Sequence, residues 1–247
     1  MKLQDEEILT AILGILSAFS IYNIDPSVGM FYTFAIIFYF VPLLTKRKDW
    51  LIEYLTPKLD LIKSIVVSAA VFAGWLITTT LIYTAFMSVP TTESVIPQQV
   101  FAELSRTSYI PVLSDNPGVL FVVYGVFIPL AESMFFLSFI LKFWSSKIFH
   151  LPEVRWYKPG TPQFWKMLWV CALVAACGSL FHMTARITKA TLEVLPMPIN
   201  LYIDYTLTND FFFFFVSSLV VFFRKRLFES SNFHIFVNIG VLLLGGR

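Results

Sequence analysis

The sequence predicts an all-α protein, a polytopic bundle of about seven transmembrane helices in one membrane-embedded domain. Three observations carry that prediction. Only 14% of the 247 residues are charged, against roughly 25% in a soluble domain. Mean hydropathy is +0.74, and 57% of the residues are hydrophobic. The apolar residues also fall into seven runs separated by turn and charge chemistry. At about 20 residues per crossing, seven spans use roughly 140 residues and leave enough for loops but not for a soluble domain. One domain therefore covers residues 1–247.

The first run, Ile8–Tyr22, follows Lys2 and resembles a signal peptide only superficially. Asp5, Glu6 and Glu7 make its leader net acidic and no Ala-x-Ala site follows, so it reads as a retained span. Asp25-Pro26 separates it from Val28–Leu44, which ends at the charged stretch Lys46–Asp49. The third run is Leu61–Met87. The polar loop Ser88–Pro117 after it predicts a short surface helix near Val95–Arg106. Val119–Phe143, Trp165–Ile187, Phe211–Phe223 and Phe233–Leu244 complete the set, with proline-marked breaks at Ser145–Gln163 and Leu195–Pro198. The first, sixth and seventh runs are short for a full crossing and need tilt or a thinned bilayer. The five phenylalanines Phe211–Phe215 read as lipid-facing bulk. Cys171 and Cys177 are six residues apart in one run and point to different sides of a helix, which disfavours a disulfide between them.

Charge sets the expected orientation and limits the partners. With the N-terminus in the cytoplasm and the runs threaded alternately, 14 of the 18 Lys and Arg residues fall on the inner side. An odd number of crossings then places the C-terminus outside. A net charge of +2 with no basic tract longer than three residues gives no field for nucleic acid. The expected partners are the bilayer and a membrane-associated protein or peptide.

Nearly every charge falls in a loop or at a span edge, and three ionisable residues do not: Glu132, His182 and His234. A charge at mid-bilayer costs about 2.5–3.5 kcal/mol on the insertion scale, so such residues face protein and mark functional sites. Glu132 is roughly 18 Å from the cytoplasmic edge of its run, too deep to snorkel. His234 and Asn238 form a His-x-x-x-Asn pair, and i,i+4 spacing puts both on one helical face. Gly178 reads as a close helix contact, and Ser179 and Thr184 as small packing residues. His150 lies in a loop.

A buried glutamate can act as general base on a water, and two imidazoles with an amide can donate hydrogen bonds to the oxyanion that forms when that water attacks a carbonyl. This predicts a hydrolase of amide bonds inside the membrane, with Glu132, His182, His234 and Asn238 as its site. The same Glu132, His182 and His234 offer a donor set for Zn²⁺, in which case the glutamate is a ligand and another base is needed. No His-Glu-x-x-His motif is present, and no other cofactor is indicated.

These residues resemble the motifs of the CAAX-protease and bacteriocin-processing (CPBP) family of intramembrane proteases, which includes the Ras-converting endopeptidases. Ile128–Leu141 around Glu132 resembles the family's glutamate motif. Ser179-Leu-Phe-His182 is similar to its second motif, and Phe222–Asn238, ending in His-x-x-x-Asn, to its third. The resemblance covers about Val119–Leu244, so residues 118–247 form a protease-like core and residues 1–117 match only as generic spans and loop. It implies Glu132 as the water-activating base, His182 as a catalytic imidazole, and His234 with Asn238 as the oxyanion-stabilising pair. Both a metal-dependent and a glutamate-only mechanism are compatible with it. The family's paired glutamates are one here, between Ala131 and Ser133, and its motif arginine is replaced by Leu137 or Phe136. A catalytically inactive relative acting as a membrane scaffold or peptide-binding protein is the alternative function. A small proton-coupled transporter is the third, disfavoured because the sequence shows no inverted repeat. One geometric demand stands out. On straight helices His182 lies about 20–25 Å from the cytoplasmic edge but His234 only about 9 Å, so the site assembles only if the last helix begins above the boundary, a helix tilts, or the bilayer thins there.

Overall fold

Alternating faces along the third run decide its packing. Ser64, Ser68, Trp75 and Thr79 are buried, while Ile62, Val66, Ile77 and Leu81 are exposed. Small polar groups inside and aliphatic side chains outside invert the pattern of a water-soluble helix and suit a helix set in lipid. In the computed structural model the described residues are 61–86, 117–152, 154, 156–191 and 210–244. The runs Ile8–Tyr22 and Val28–Leu44, most of the Ser88–Pro117 loop and the break at Leu195–Pro198 lie outside them.

Every regular element among the described residues is helical. Helix α1 spans Leu61–Phe86. The fourth run is a composite: α2 (Pro117–Val122), a π-helical turn at Val123–Phe127, α3 (Ile128–Glu132), and π-helical segments Ser133–Ile140 and Phe143–Ile148. Helix α4 is Pro162–Thr191, α5 is Phe211–Arg224 and α6 is Phe228–Leu244. Among the described residues three stretches are long and apolar enough to cross a membrane: Leu61–Leu81, Tyr124–Ile148 and Pro162–Leu180. These are the marks of a membrane protein.

The composite helix is the centre of the bundle, with Met134, Phe135, Phe136 and Leu137 buried at consecutive positions and hence on all sides. Helix α4 packs on α5 through its buried stripe Met167, Val170, Cys171, Val174 and Ala175, and α6 packs on α1, α5 and the composite helix. Cys171 and Cys177 are both free thiols, as their spacing requires. The beginning of α1, the loop after the composite helix and the α5–α6 turn share one end of the bundle. Ser64 bonds Glu229 there, and Lys225 lies 5.1 Å above the Tyr157 ring. Exposed Trp156, Trp165 and Trp169 flank the same end, the placement of an interfacial aromatic belt.

Two sequence expectations change. Phe211–Phe215 is not only lipid-facing bulk: five consecutive positions go all the way round a helix, and Phe213 and Phe214 point inward and are buried. Helix α6 begins five residues before its apolar run, and Glu229, Ser230 and Ser231 in its first turn have no exposed surface. Its first turn is therefore packed against neighbouring helices, and the 3.3 Å separation of His234 from Glu132 shows that the depth mismatch of straight helices does not keep the two apart.

Candidate active site

Glu132 closes α3, three residues after Pro129 and directly before the π-helical segment. Proline has no backbone N–H, so the α ladder is interrupted just ahead of the glutamate, and single π turns frequently accompany functional sites. The carboxyl is buried, at 3% relative exposure. Helix α4 brings the His182 Nε2 to 3.5 Å from Glu132 Oε1, and α6 brings the His234 Nε2 to 3.3 Å from Glu132 Oε2. Each carboxylate oxygen thus faces one imidazole, supplied by a different helix. Both separations exceed the roughly 2.7–2.9 Å of a tight charge-assisted bond, and such contacts commonly tighten only when substrate is present.

The His182 ring is oriented by its own helix. Nδ1 lies 2.8 Å from the carbonyl oxygen of Gly178, one turn earlier. A carbonyl only accepts, so Nδ1 is the donor and carries hydrogen, and in the neutral ring Nε2 has only a lone pair to present. Its approach to Glu132 is attractive when one proton is held between Nε2 and the carboxyl. Glu132 and His182 are therefore placed so that one added proton would be held between them.

His234 is walled by aromatic rings. Phe213 is 4.5 Å from the imidazole centroid and Phe214 6.5 Å, while Phe214 also lies 5.6 Å from the His182 ring. Phe214 reaches this place because residue 178 is glycine: a Cβ there would stand 2.4 Å from the Phe214 ring. Gly178→Ala should therefore push the ring against both histidines. Overpacking of this kind costs about 1–3 kcal/mol, so the variant should show a lower thermal unfolding midpoint in detergent. An unchanged midpoint would mean that the ring slides aside freely.

Asn238 is buried one turn beyond His234, and its Nδ2 donates to the Tyr124 carbonyl at 2.9 Å. An amide nitrogen has two hydrogens, so one remains. Ser133 and Ser179, beside Glu132 and His182 in sequence, are buried with hydroxyls that have no hydrogen-bond partner among the described residues. This fits packing rather than bonding. His150 is exposed in the loop, with a left-handed backbone at φ 48°. The side chain of Thr184 lies outside the described residues.

The metal alternative fits less well. A zinc ligand set needs every donor atom about 2.0–2.2 Å from one point. Among the described residues no three His, Cys, Asp or Glu side chains converge in this way, and the two imidazoles address opposite oxygens of the carboxylate.

Sequence reasoning found the Glu132, His182 and His234 cluster but missed its supports. Phe213 and Phe214 were hidden in a uniform aromatic run. Tyr124 enters the site through its backbone carbonyl, which leaves no side-chain signature. The Gly178–His182 spacing of four was a usable signal for the carbonyl that orients the ring. Comparison with family models, with curated proteins and with solved structures found no match to this chain.

Proposed function

We propose that this protein is a glutamate-type intramembrane endopeptidase of the CPBP kind, cutting a membrane-associated protein or peptide. One observation supports the reading above the others: a buried carboxylate held between two imidazoles from separate helices, at 3.5 and 3.3 Å. The full bundle has about seven spans, with the N-terminus in the cytoplasm and the C-terminus outside. The gathering of Lys63, Lys158 and Arg224–Arg226 at one end of the described helices favours this orientation.

In the proposed reaction a water at the Glu132 carboxylate gives up a proton to the Glu132–His182 pair. Its oxygen bonds to the scissile carbonyl carbon, and the His234 imidazole donates to the oxyanion, with the remaining Asn238 hydrogen as a second donor. The tetrahedral intermediate then collapses and the C–N bond breaks. The pair returns the proton to the departing amine, leaving a new amine and a new carboxylic acid, which gives its own proton to water or to the amine. His182→Ala removes the proton-holding partner and should lower kcat by about 10²–10⁴-fold with little change in KM.

The test is purified protein in proteoliposomes, supplied with transmembrane and lipidated peptides in H₂¹⁸O. Cleavage with one ¹⁸O in the new carboxyl group supports the reading. No cleavage of any peptide favours the second reading, a catalytically inactive relative that holds a membrane partner. The Asn238 bond to Tyr124 favours that reading, because it occupies part of the amide's donor capacity.

A further inference from the structure

We infer that the α5–α6 turn is a binding site for the headgroup of an anionic phospholipid. Arg224, Lys225 and Arg226 follow one another there, and both arginines approach one carboxylate, Glu229, which has no exposed surface. The turn therefore presents positive charge outward. The fold holds each cation in place. Arg224 gives Nε and Nη2 to Glu229 Oε1 at 3.3 and 3.1 Å, which leaves three of the five guanidinium hydrogens for another acceptor. Lys225 has a left-handed backbone, φ 56°, and its N–H bonds the Val221 carbonyl at 2.8 Å. That reversal closes α5 and sets the ammonium 5.1 Å from the Tyr157 ring and 5.5 Å from the Phe222 ring. Arg226 Nη1 stands 3.9 Å from the same Glu229 oxygen. Cations ordered in advance lose little further freedom when a phosphate arrives, and a guanidinium can meet two phosphate oxygens at once.

The apolar surface beside these charges favours a lipid over a free anion. Trp156 is 62% exposed, and Phe223, next to Arg224 in the chain, is 36% exposed. Their rings lie 5.7 Å apart with planes 37° to one another. A phosphate ion from solution would leave these rings in place and uncovered. A phospholipid uses both surfaces, with its phosphate among the cations and its glycerol and first acyl carbons on the rings. The depth is right as well, because Trp165 and Trp169 are exposed at the same end and tryptophan gathers at headgroup level. At that level each Lys or Arg strengthens the hold on anionic lipid by about fivefold.

This site is independent of the protease reading, so its test does not use cleavage. Full-length protein is placed in phosphatidylcholine nanodiscs that contain phosphatidylglycerol brominated on its upper acyl carbons or, in parallel, phosphatidylcholine brominated in the same way. Bromine quenches a nearby tryptophan, and subtracting the Trp156→Phe signal isolates Trp156. Phosphatidylglycerol should quench Trp156 with at least about fivefold higher apparent affinity than phosphatidylcholine, and Lys225→Gln should lower that preference by about fivefold. Charge reversal in Lys225→Glu should abolish it. If Lys225→Gln fails to fold, Arg226→Gln takes its place with the same expectation. Equal quenching by the two lipids overturns the site. So does an equally large loss in Lys166→Gln, an exposed lysine of α4 outside the turn, because the preference would then come from the field of the whole surface. Displacement of the lipid by an equal concentration of inorganic phosphate would make the turn a general phosphate site and overturn the lipid assignment.

Discussion

Glu132→Gln should abolish peptide cleavage while the helix bundle stays intact. Glutamine keeps the length and shape of the side chain and still presents one oxygen and one NH₂ to the two imidazoles, so packing around the site should change little. It has no carboxylate to accept a proton from water. Positioned general-base catalysis is worth about 10²–10⁴-fold, and Glu132 is the carboxylate that both imidazoles face. The expected result is a fall in kcat towards the upper end of that range. KM should be nearly unchanged, because the lost interaction matters only in the transition state. Circular dichroism and the thermal midpoint should match wild type to within the cost of one altered polar contact, about 0.5–1.5 kcal/mol. Retained cleavage in Glu132→Gln would remove the carboxylate from the mechanism and leave the cluster as a buried polar tie between helices.

The candidate site was legible in the sequence because polar groups in apolar runs are scarce. Glu132, His182 and His234 stand in runs with almost no other ionisable residue, and the structure brings all three together. Other features were hidden for identifiable reasons. Ser64 and Ser68 read as neutral members of a generic span, because a small hydroxyl in a membrane helix has no periodic signal of its own; the packing of α6 brings Glu229 to both of them. The π-helical turns leave no mark in composition. Glu229 was concealed by its neighbours. Next to Arg224-Lys225-Arg226 it reads as one more charge in an interfacial turn, yet it has no exposed surface.

Glu229→Ala should be the most destabilising single change at the α5–α6 turn, because this carboxylate is a hub rather than a surface charge. Its Oε1 accepts from Arg224 Nη2 at 3.1 Å, Arg224 Nε at 3.3 Å and Ser64 Oγ at 3.2 Å, and Arg226 Nη1 lies 3.9 Å away. The residue's backbone carbonyl accepts from Ser68 Oγ at 2.9 Å. These contacts tie α1, the end of α5 and the first turn of α6 into one block. Breaking a fully buried pair costs about 3–5 kcal/mol, mainly through the charge left behind. Here the partners are partly exposed, with the Arg224 side chain at 36% and Arg226 at 21%, so both can recover some hydration. An expected loss of about 2–4 kcal/mol follows, read from reversible denaturation in detergent. Glu229→Gln keeps an oxygen for Ser64 and should fall between wild type and alanine. Because His234 is only five residues further along α6, loosening the first turn should also lower cleavage, and by more than Glu229→Gln does. If Glu229→Ala is as stable as wild type, desolvation of the carboxylate cancels its bonds, and the height of α6 is then set by Phe233, Asn238 and the packing against α1.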